Sequence, residues 1–190
     1  MTLEEKTDSV LSYIDRLFPE KERIMIAIDG RCASGKTTLA SILEAHLDCN
    51  VFHMDDFFLR PEQRSEERLK KAGENVDHER FLSEILLPLS RGEAVSYRPF
   101  SCKLGALLPP VEVEPKRISV VEGSYACHPS LEGYYDLCIF SDVDPEEQVR
   151  RITDRNGKEG AECFRSLWIP LEEKYFEAYD VARKCHIILK

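Results

Sequence analysis

Eight consecutive residues, Gly30-Arg31-Cys32-Ala33-Ser34-Gly35-Lys36-Thr37, follow the pattern G-x-x-x-x-G-K-[ST]. The glycines let the backbone curl until successive N–H groups point into one concavity, and a helix starting at the loop's end adds the partial positive charge of its N-terminus. Such a loop holds a polyphosphate largely by backbone. Contacts to a bound nucleotide are expected from Gly30 through Thr37 and on to Thr38, with Lys36 on the β- and γ-phosphates and the Thr37 hydroxyl on Mg2+.

Three further groups carry acid or base. In Val51-Phe52-His53-Met54-Asp55-Asp56-Phe57-Phe58 two carboxylates stand just beyond an apolar run. A carboxylate there can accept the proton of a substrate hydroxyl as it attacks a γ-phosphate, or orient water on a metal; a turn or helix cap is the plainer use of such a pair. Ile118-Ser119-Val120-Val121-Glu122-Gly123 has the shape of a Walker B strand with Glu in place of the commoner Asp, and Glu122 would hold Mg2+ through a water or position the attacking group. Arg150, Arg151 and Arg155 lie in one helical stretch, where Arg151 and Arg155 share a face at i, i+4. Arginines closing over a moving phosphoryl group neutralise its charge; a solvated face paired with Glu147 or Asp154 is the structural alternative.

These residues need elements to position them. Val10, Leu11, Ile14, Leu17 and Phe18 recur at helical spacing, which predicts an amphipathic helix near 3–18 closed by Pro19, within an N-terminal segment 1–20. The β-branched run 23–29 suits a strand buried on both faces, and 37–47 a helix packed on it. Further strands are predicted at 51–53, 118–122, 135–141 and 186–189, and helices near 77–90, 145–156 and 163–183. Asp144 and Pro145 signal the start of the 145–156 helix, and Gly157 its end. Strands alternating with helices imply an α/β fold, a five-stranded parallel sheet with ligands at the strands' carboxyl ends. The charge-dense stretch at about 60–80 reads as a solvated, mobile insertion on the acceptor side. About 150–162, with Gly157 and Gly160, reads as a lid with a hinge. Trp168 to Phe176 reads as core or as packing against that lid.

The chain of 190 residues fits one domain, 1–190. Lys plus Arg is 26 against 35 Asp plus Glu, a net charge of −9, which argues against a general binder of nucleic acid or of anionic membrane. Seven cysteines without a C-x-x-C pair read as free thiols in a reducing compartment. The polar, acidic N-terminus and the absence of an 18-residue apolar run point to a cytoplasmic protein. Self-association into a homo-oligomer is left open.

Taken together, the motifs resemble the uridine kinase-like family of P-loop kinases, with its phosphoribulokinase-like and pantothenate kinase-like relatives. The resemblance runs from about Arg23 to the C-terminus through Ile28-Asp29-Gly30, Met54-Asp55-Asp56-Phe57-Phe58, Val76-Asp77-His78, Tyr97-Arg98-Pro99-Phe100, Val121-Glu122-Gly123 and Asp142-Val143-Asp144. It implies a P-loop NTPase fold and ATP-dependent, Mg2+-assisted transfer of a phosphoryl group to a nucleoside 5′-hydroxyl. Asp55 would be the base, with Asp56 as a deputy. Asp77, with His78 beside it, would contact ribose hydroxyls, Tyr97 would hold the base, and Arg151 and Arg155 would clamp phosphate. The segment after Tyr97 lacks the histidine that classical uridine kinases set against the pyrimidine, and Arg98 and Lys103 suit an anionic acceptor. A nucleoside monophosphate kinase, or a kinase of another small alcohol, is the alternative within the class. A nucleotide-regulated switch is the alternative outside it.

Overall fold

The computed structural model describes residues 2–190. Helix α1 (Leu3–Leu17) begins with a reciprocal cap in which the Glu5 N–H donates to Thr2 Oγ1 and the Thr2 N–H to Glu5 Oε2. Strand β1 (Ile24–Gly30), helix α2 (Lys36–His46), strand β2 (Cys49–His53) and a 3-10 turn over Met54–Phe57 follow. The middle of the chain holds short helices α3 (Glu66–Leu69), α4 (His78–Phe81) and α5 (Leu87–Arg91). Strands β3 (Val95–Tyr97), β4 (Phe100–Ser101), β5 (Ala106–Leu107), β6 (Val111–Val113) and β7 (Ile118–Glu122) come next. The last third is β8 (Leu137–Ser141), α6 (Pro145–Cys163), α7 (Ile169–Tyr179), α8 (Val181–Lys184) and β9 (Ile187–Leu189).

The main sheet runs in the order β2-β7-β1-β8-β9 with every neighbouring pair parallel, as the alternation of strands and helices predicts. Its two faces divide the apolar residues by strand period. Ile24, Ile26 and Ile28 of β1 join Val10 and Ile14 of α1 and Leu39 and Leu43 of α2, while Met25 and Ala27 join Phe52, Val121, Phe140 and Phe176 on the other side. Because the strands are parallel, their carboxyl ends share one edge. Register places His53 and Ile28 beside Glu122, and Gly30 beside Ser141, so the loop after β1, the turn after β2 and the end of β7 meet there.

Four features differ from expectation, each for a local reason. The helix expected over 77–90 is α4, a π turn over Leu82–Leu86 and α5, and that over 163–183 is a π turn over Phe164–Trp168, α7 and α8. Each π turn runs into a proline, Pro88 or Pro170, whose missing N–H and ring bulk displace the i→i−4 ladder. Within α6 the helix breaks at non-helical Gly157 (φ 73°, ψ 177°), where the sequence predicts an end, but a second helical segment resumes beyond it and runs to Cys163. The 60–80 stretch is not wet throughout: Asn75, Val76, Asp77 and His78 are buried. The Asp77 N–H donates to the Phe57 carbonyl at 2.6 Å and the Leu59 N–H to that of Asn75, so backbone pairing returns this segment to the core. Finally, β3 pairs with β6 and β4 with β5 as antiparallel ribbons, whose strands of two or three residues are too short to show a period.

Candidate active site

The loop after β1 rests on a buried acid. Asp29, fully enclosed, accepts from the N–H groups of Gly30 (2.6 Å), Tyr125 (3.1 Å) and Cys127 (2.8 Å) and from the Tyr175 hydroxyl (2.8 Å). It ties the loop to the segment after β7 and to α7. Burial pushes its carboxyl up to about 6, against the opposing pull of the Cys127 and Gly30 N–H groups. Its folded pKa stands above the unfolded one, so the ionised group costs stability above pH 6, roughly 3 kcal/mol for a shift of that size, and the cost is relieved as pH falls from 6 toward 4. Urea unfolding across pH 4 to 7 should show this contribution in the wild type and not in Asp29→Asn.

Lys36, at the start of α2, curls back over the loop and donates to the carbonyls of Gly30 (2.7 Å) and Arg31 (2.8 Å), with Ser124 Oγ at 3.5 Å. Thr37 Oγ1 donates to the Glu122 carboxylate at 3.2 to 3.3 Å. Hydroxyl and carboxylate oxygens are the donors a hard divalent cation takes, so Thr37 and Glu122 fit the Mg2+ that accompanies ATP. Glu122, 5% exposed, also meets His53 Nδ1 at 2.6 Å, and that hydrogen bond raises the histidine's pKa. Asp55 opens into the same cleft from the 3-10 turn. Desolvation, then the charge of Glu122, raises its carboxyl above the ordinary aspartate range.

A cleft of about 530 Å³ gathers Cys32, Ala33, Gly35, Lys36, Thr37, Thr38, Asp55, Glu122, Arg151 and Arg155 along its walls. Arg151 donates to the Glu147 carboxylate at 2.7 Å and to the Ala33 carbonyl at 3.1 Å, which brings the kinked helix α6 down onto the phosphate loop. Arg155 reaches Asn156 Oδ1 at 2.8 Å and lies over the Phe164 ring. Arg150 pairs instead with Glu147 and Asp154 on the exposed face.

The remaining expected residues lie elsewhere. Arg31 and Ser34 belong to the loop but face away from the cleft: Arg31 grips Asp142 and, bidentately, Glu173, and Ser34 is buried. Asp56 is half-buried beside His53 and Arg80, its carboxyl raised by burial. Asp77 caps α4 through the Arg80 N–H (3.1 Å) and accepts from Gln63 Nε2 (2.7 Å). His78 stacks on His128 with ring centroids 4.1 Å apart. Tyr97 stacks on Phe57 at 5.5 Å inside the core. Arg98 donates to the carbonyls of Leu107 and Leu108. The structure therefore does not bring Asp56, Asp77, His78, Tyr97 or Arg98 to the cleft wall. Packing and capping engage them first. Asp77→Ala should lower stability by about 1 to 3 kcal/mol, the cost of a lost cap and an orphaned buried donor, and thermal unfolding measures it.

Three site residues were given no site role by the sequence. Glu172 of α7, 5% exposed, accepts from the Cys32 N–H at 3.0 Å and from Ser124 Oγ at 2.6 Å, holding the loop and the post-β7 segment together from the cleft's floor. Phe58 and Trp168 both line the cleft and pack against each other, ring centroids 5.6 Å apart. The signal was the i, i+4 spacing of Trp168 and Glu172 on one helix face. Cys32 is a poor candidate for redox chemistry, because burial and then the charge of Glu172 push its thiol up to about 12.

No protein-family model matches the chain. It is 27% identical over 187 residues to the bifunctional alpha-galactosidase/sucrose kinase AgaSK of Mediterraneibacter gnavus, a match that takes in 86% of this chain. The chain spans about a fifth of that relative's length, 20%. Among solved structures it superimposes over the whole of both chains on a possible uridine kinase from Bacillus stearothermophilus (TM-score 0.77, 18% identity). It does so also on a fructose transport system kinase candidate from Silicibacter sp. TM1040 (TM-score 0.66, 25% identity). A D-glycerate 3-kinase from Cryptococcus neoformans matches at a TM-score of 0.61 and 16% identity, over 94% of this chain and 87% of that one. Sheet order and the glycine loop give the chain the P-loop fold that these kinases share. In fold it is similar to the possible uridine kinase, in line with its motifs.

Proposed function

We propose that the chain is an ATP-dependent kinase that moves the γ-phosphoryl group to a hydroxyl of a small metabolite. The observation that carries this reading is the convergence in one cleft of the phosphate loop, Thr37 with Glu122, the strand-end Asp55 and the two arginines of α6. Backbone N–H groups of the loop and Lys36 hold the triphosphate. Thr37 and Glu122 would hold Mg2+, which would supply charge neutralisation at the phosphates. Asp55 accepts the acceptor hydroxyl's proton as its oxygen attacks, and Arg151 and Arg155 leave Glu147 and Asn156 to offset charge on the moving group. No covalent intermediate is needed; positioning and electrostatics supply the rate.

The nucleoside 5′-hydroxyl is the acceptor the motif order favours. A second reading, a free sugar, draws on a separate observation: Asp77, Tyr97 and Arg98 are held in cap, core and ribbon contacts, while two aromatic rings, Phe58 and Trp168, line the cleft. The names of two relatives, a sucrose kinase and a fructose transport system kinase candidate, agree with it. A monophosphate acceptor has less support, since Arg98 already serves two carbonyls. ADP release measured with ATP, Mg2+ and a panel of nucleosides, nucleoside monophosphates, hexoses, disaccharides and glycerate separates the readings. At least tenfold stimulation by one acceptor class supports a kinase and names its substrate; equal release with every member and with none supports a switch or simple ATPase.

A further inference from the structure

Outside the cleft, Glu74, His78 and His128 converge so that one carboxylate oxygen and two imidazole nitrogens all lie within 4.8 Å of one another. The histidines are 8% and 5% exposed. Ser130 Oγ lies 3.0 Å from His78 Nδ1 and 2.7 Å from His128 Nδ1, so one hydroxyl serves both rings, and the Ser130 N–H donates to His128 Nδ1 at 3.3 Å. On the far side of His78, Nε2 meets Glu74 Oε1 at 3.1 Å, and the other Glu74 oxygen pairs with Arg68. His128 Nε2 is enclosed and has no hydrogen-bond partner. A buried ring nitrogen left in that state pays its desolvation with no return, and such a group calls for an explanation.

The turn next to it passes close to that ring. Gly73 adopts φ +77°, and a Cβ there would fall 3.3 Å from His128 Nε2 and 2.9 Å from His128 Cδ2. A side chain at 73 would crowd the His128 ring and that of Tyr175, whose Cδ2 lies 2.9 Å from the same point. Local charge also suits a cation: Arg68 pairs with both Glu74 and Glu79, leaving the group one negative charge in excess before the histidines are counted.

We propose that Glu74, His78 and His128 form a binding site for a divalent transition-metal cation of the zinc class, with a fourth position open to water. Two imidazoles and a carboxylate are the ligand set that selects zinc, cobalt or nickel over magnesium, which prefers oxygen donors and retained water. Ser130 Oγ holds the His78 ring from behind as an outer-shell partner, and binding at His128 Nε2 takes the tautomer in which His128 Nδ1–H donates to that hydroxyl in place of accepting from the Ser130 N–H. The rings are stacked at 14°, so binding turns one imidazole about its Cβ–Cγ bond until the cation lies in both ring planes. The cation then clips the segment that follows α3, carrying Glu74 and His78, to the loop after β7, which carries His128 and, four residues earlier, the cleft residue Ser124.

The test uses the full chain, stripped with chelator and titrated with zinc chloride by calorimetry and with cobalt chloride by visible absorption. One equivalent should bind. Glu74→Gln and His128→Asn should weaken binding at least tenfold, and Ser130→Ala by roughly 10- to 100-fold. Glu122→Gln, at the nucleotide site, and Cys127→Ser, near the cysteines of the β8 edge, should bind like the wild type, and the cobalt spectrum should lack a sulfur charge-transfer band. Glu74→Gln is nearly isosteric at a half-buried position, so it decides the matter even if His128→Asn does not fold. Absence of stoichiometric binding in the wild type, retention in Glu74→Gln, or loss in Glu122→Gln or Cys127→Ser overturns the proposal. The readout is metal binding, so its failure leaves the kinase reading untouched, and the reverse holds too.

Discussion

Asp55→Asn should lower kcat by about 10²- to 10⁴-fold, the usual worth of a positioned general base, while ATP affinity changes by less than about threefold. The substitution keeps size and shape and removes only the group that takes the hydroxyl proton. Asp55 forms no hydrogen bond or ion pair with the phosphate loop, and the two charge effects of its loss, relieved repulsion with Glu122 and lost attraction to Lys36, oppose each other, so nucleotide binding changes little. The raised pKa adds a pH signature. The base works ionised, so kcat/KM should fall as pH drops through a value above the ordinary aspartate range near 4, and that limb should vanish in the residual activity of Asp55→Asn. Turnover near the wild-type level would move the role to another group, with Asp56 next along the turn.

Gly30→Ala should be the most damaging single methyl in the chain, costing more than about 4 kcal/mol and leaving little folded protein. A Cβ on Gly30 would lie 2.0 Å from the Ser141 carbonyl oxygen and 2.7 Å from its nitrogen, both backbone atoms of the neighbouring strand. Neither can step aside without breaking the β1–β8 register, in which Gly30 faces Ser141 and the Arg31 N–H donates to that same carbonyl at 3.2 Å. At φ +134° the backbone is also one that side chains resist. Gly35→Ala separates the two effects. Gly35 has φ +99° but nothing within 4 Å of its missing Cβ, so conformational strain of about 1 to 3 kcal/mol is the whole penalty. Urea denaturation of both variants, with soluble yield, checks the order; equal losses would mean that contact with β8 is not what fixes Gly30.

The sheet and the phosphate loop were legible because their signals are local and strong. A β-branched run buried on both faces, a glycine loop and a helix occur in order within 23–47, and the cap at Asp144 marks its helix as expected. Asp55 and Glu122 could be read because strand ends share one edge of a parallel sheet. What escaped was decided by contacts between distant residues. Nothing local to Glu172 shows that its carboxylate accepts from the Cys32 N–H, 140 positions away. Asp77 carries a motif that points to an acceptor, yet a helix start and a glutamine 14 positions earlier take up both its oxygens. The π turns before Pro88 and Pro170 belong to the same class, since a proline announces a disturbance but not its form.

The central claim is that this cleft transfers the γ-phosphoryl group to an organic hydroxyl, and a single-turnover experiment with γ-labelled ATP tests it most directly. Once the panel has named the acceptor class, enzyme in excess over ATP should move the label into an acid-stable ester of that acceptor. Label released as inorganic phosphate should remain minor, and Asp55→Asn should slow the transfer by at least a hundredfold. Label appearing chiefly as inorganic phosphate, at a rate indifferent to acceptor and to Asp55, would contradict the account.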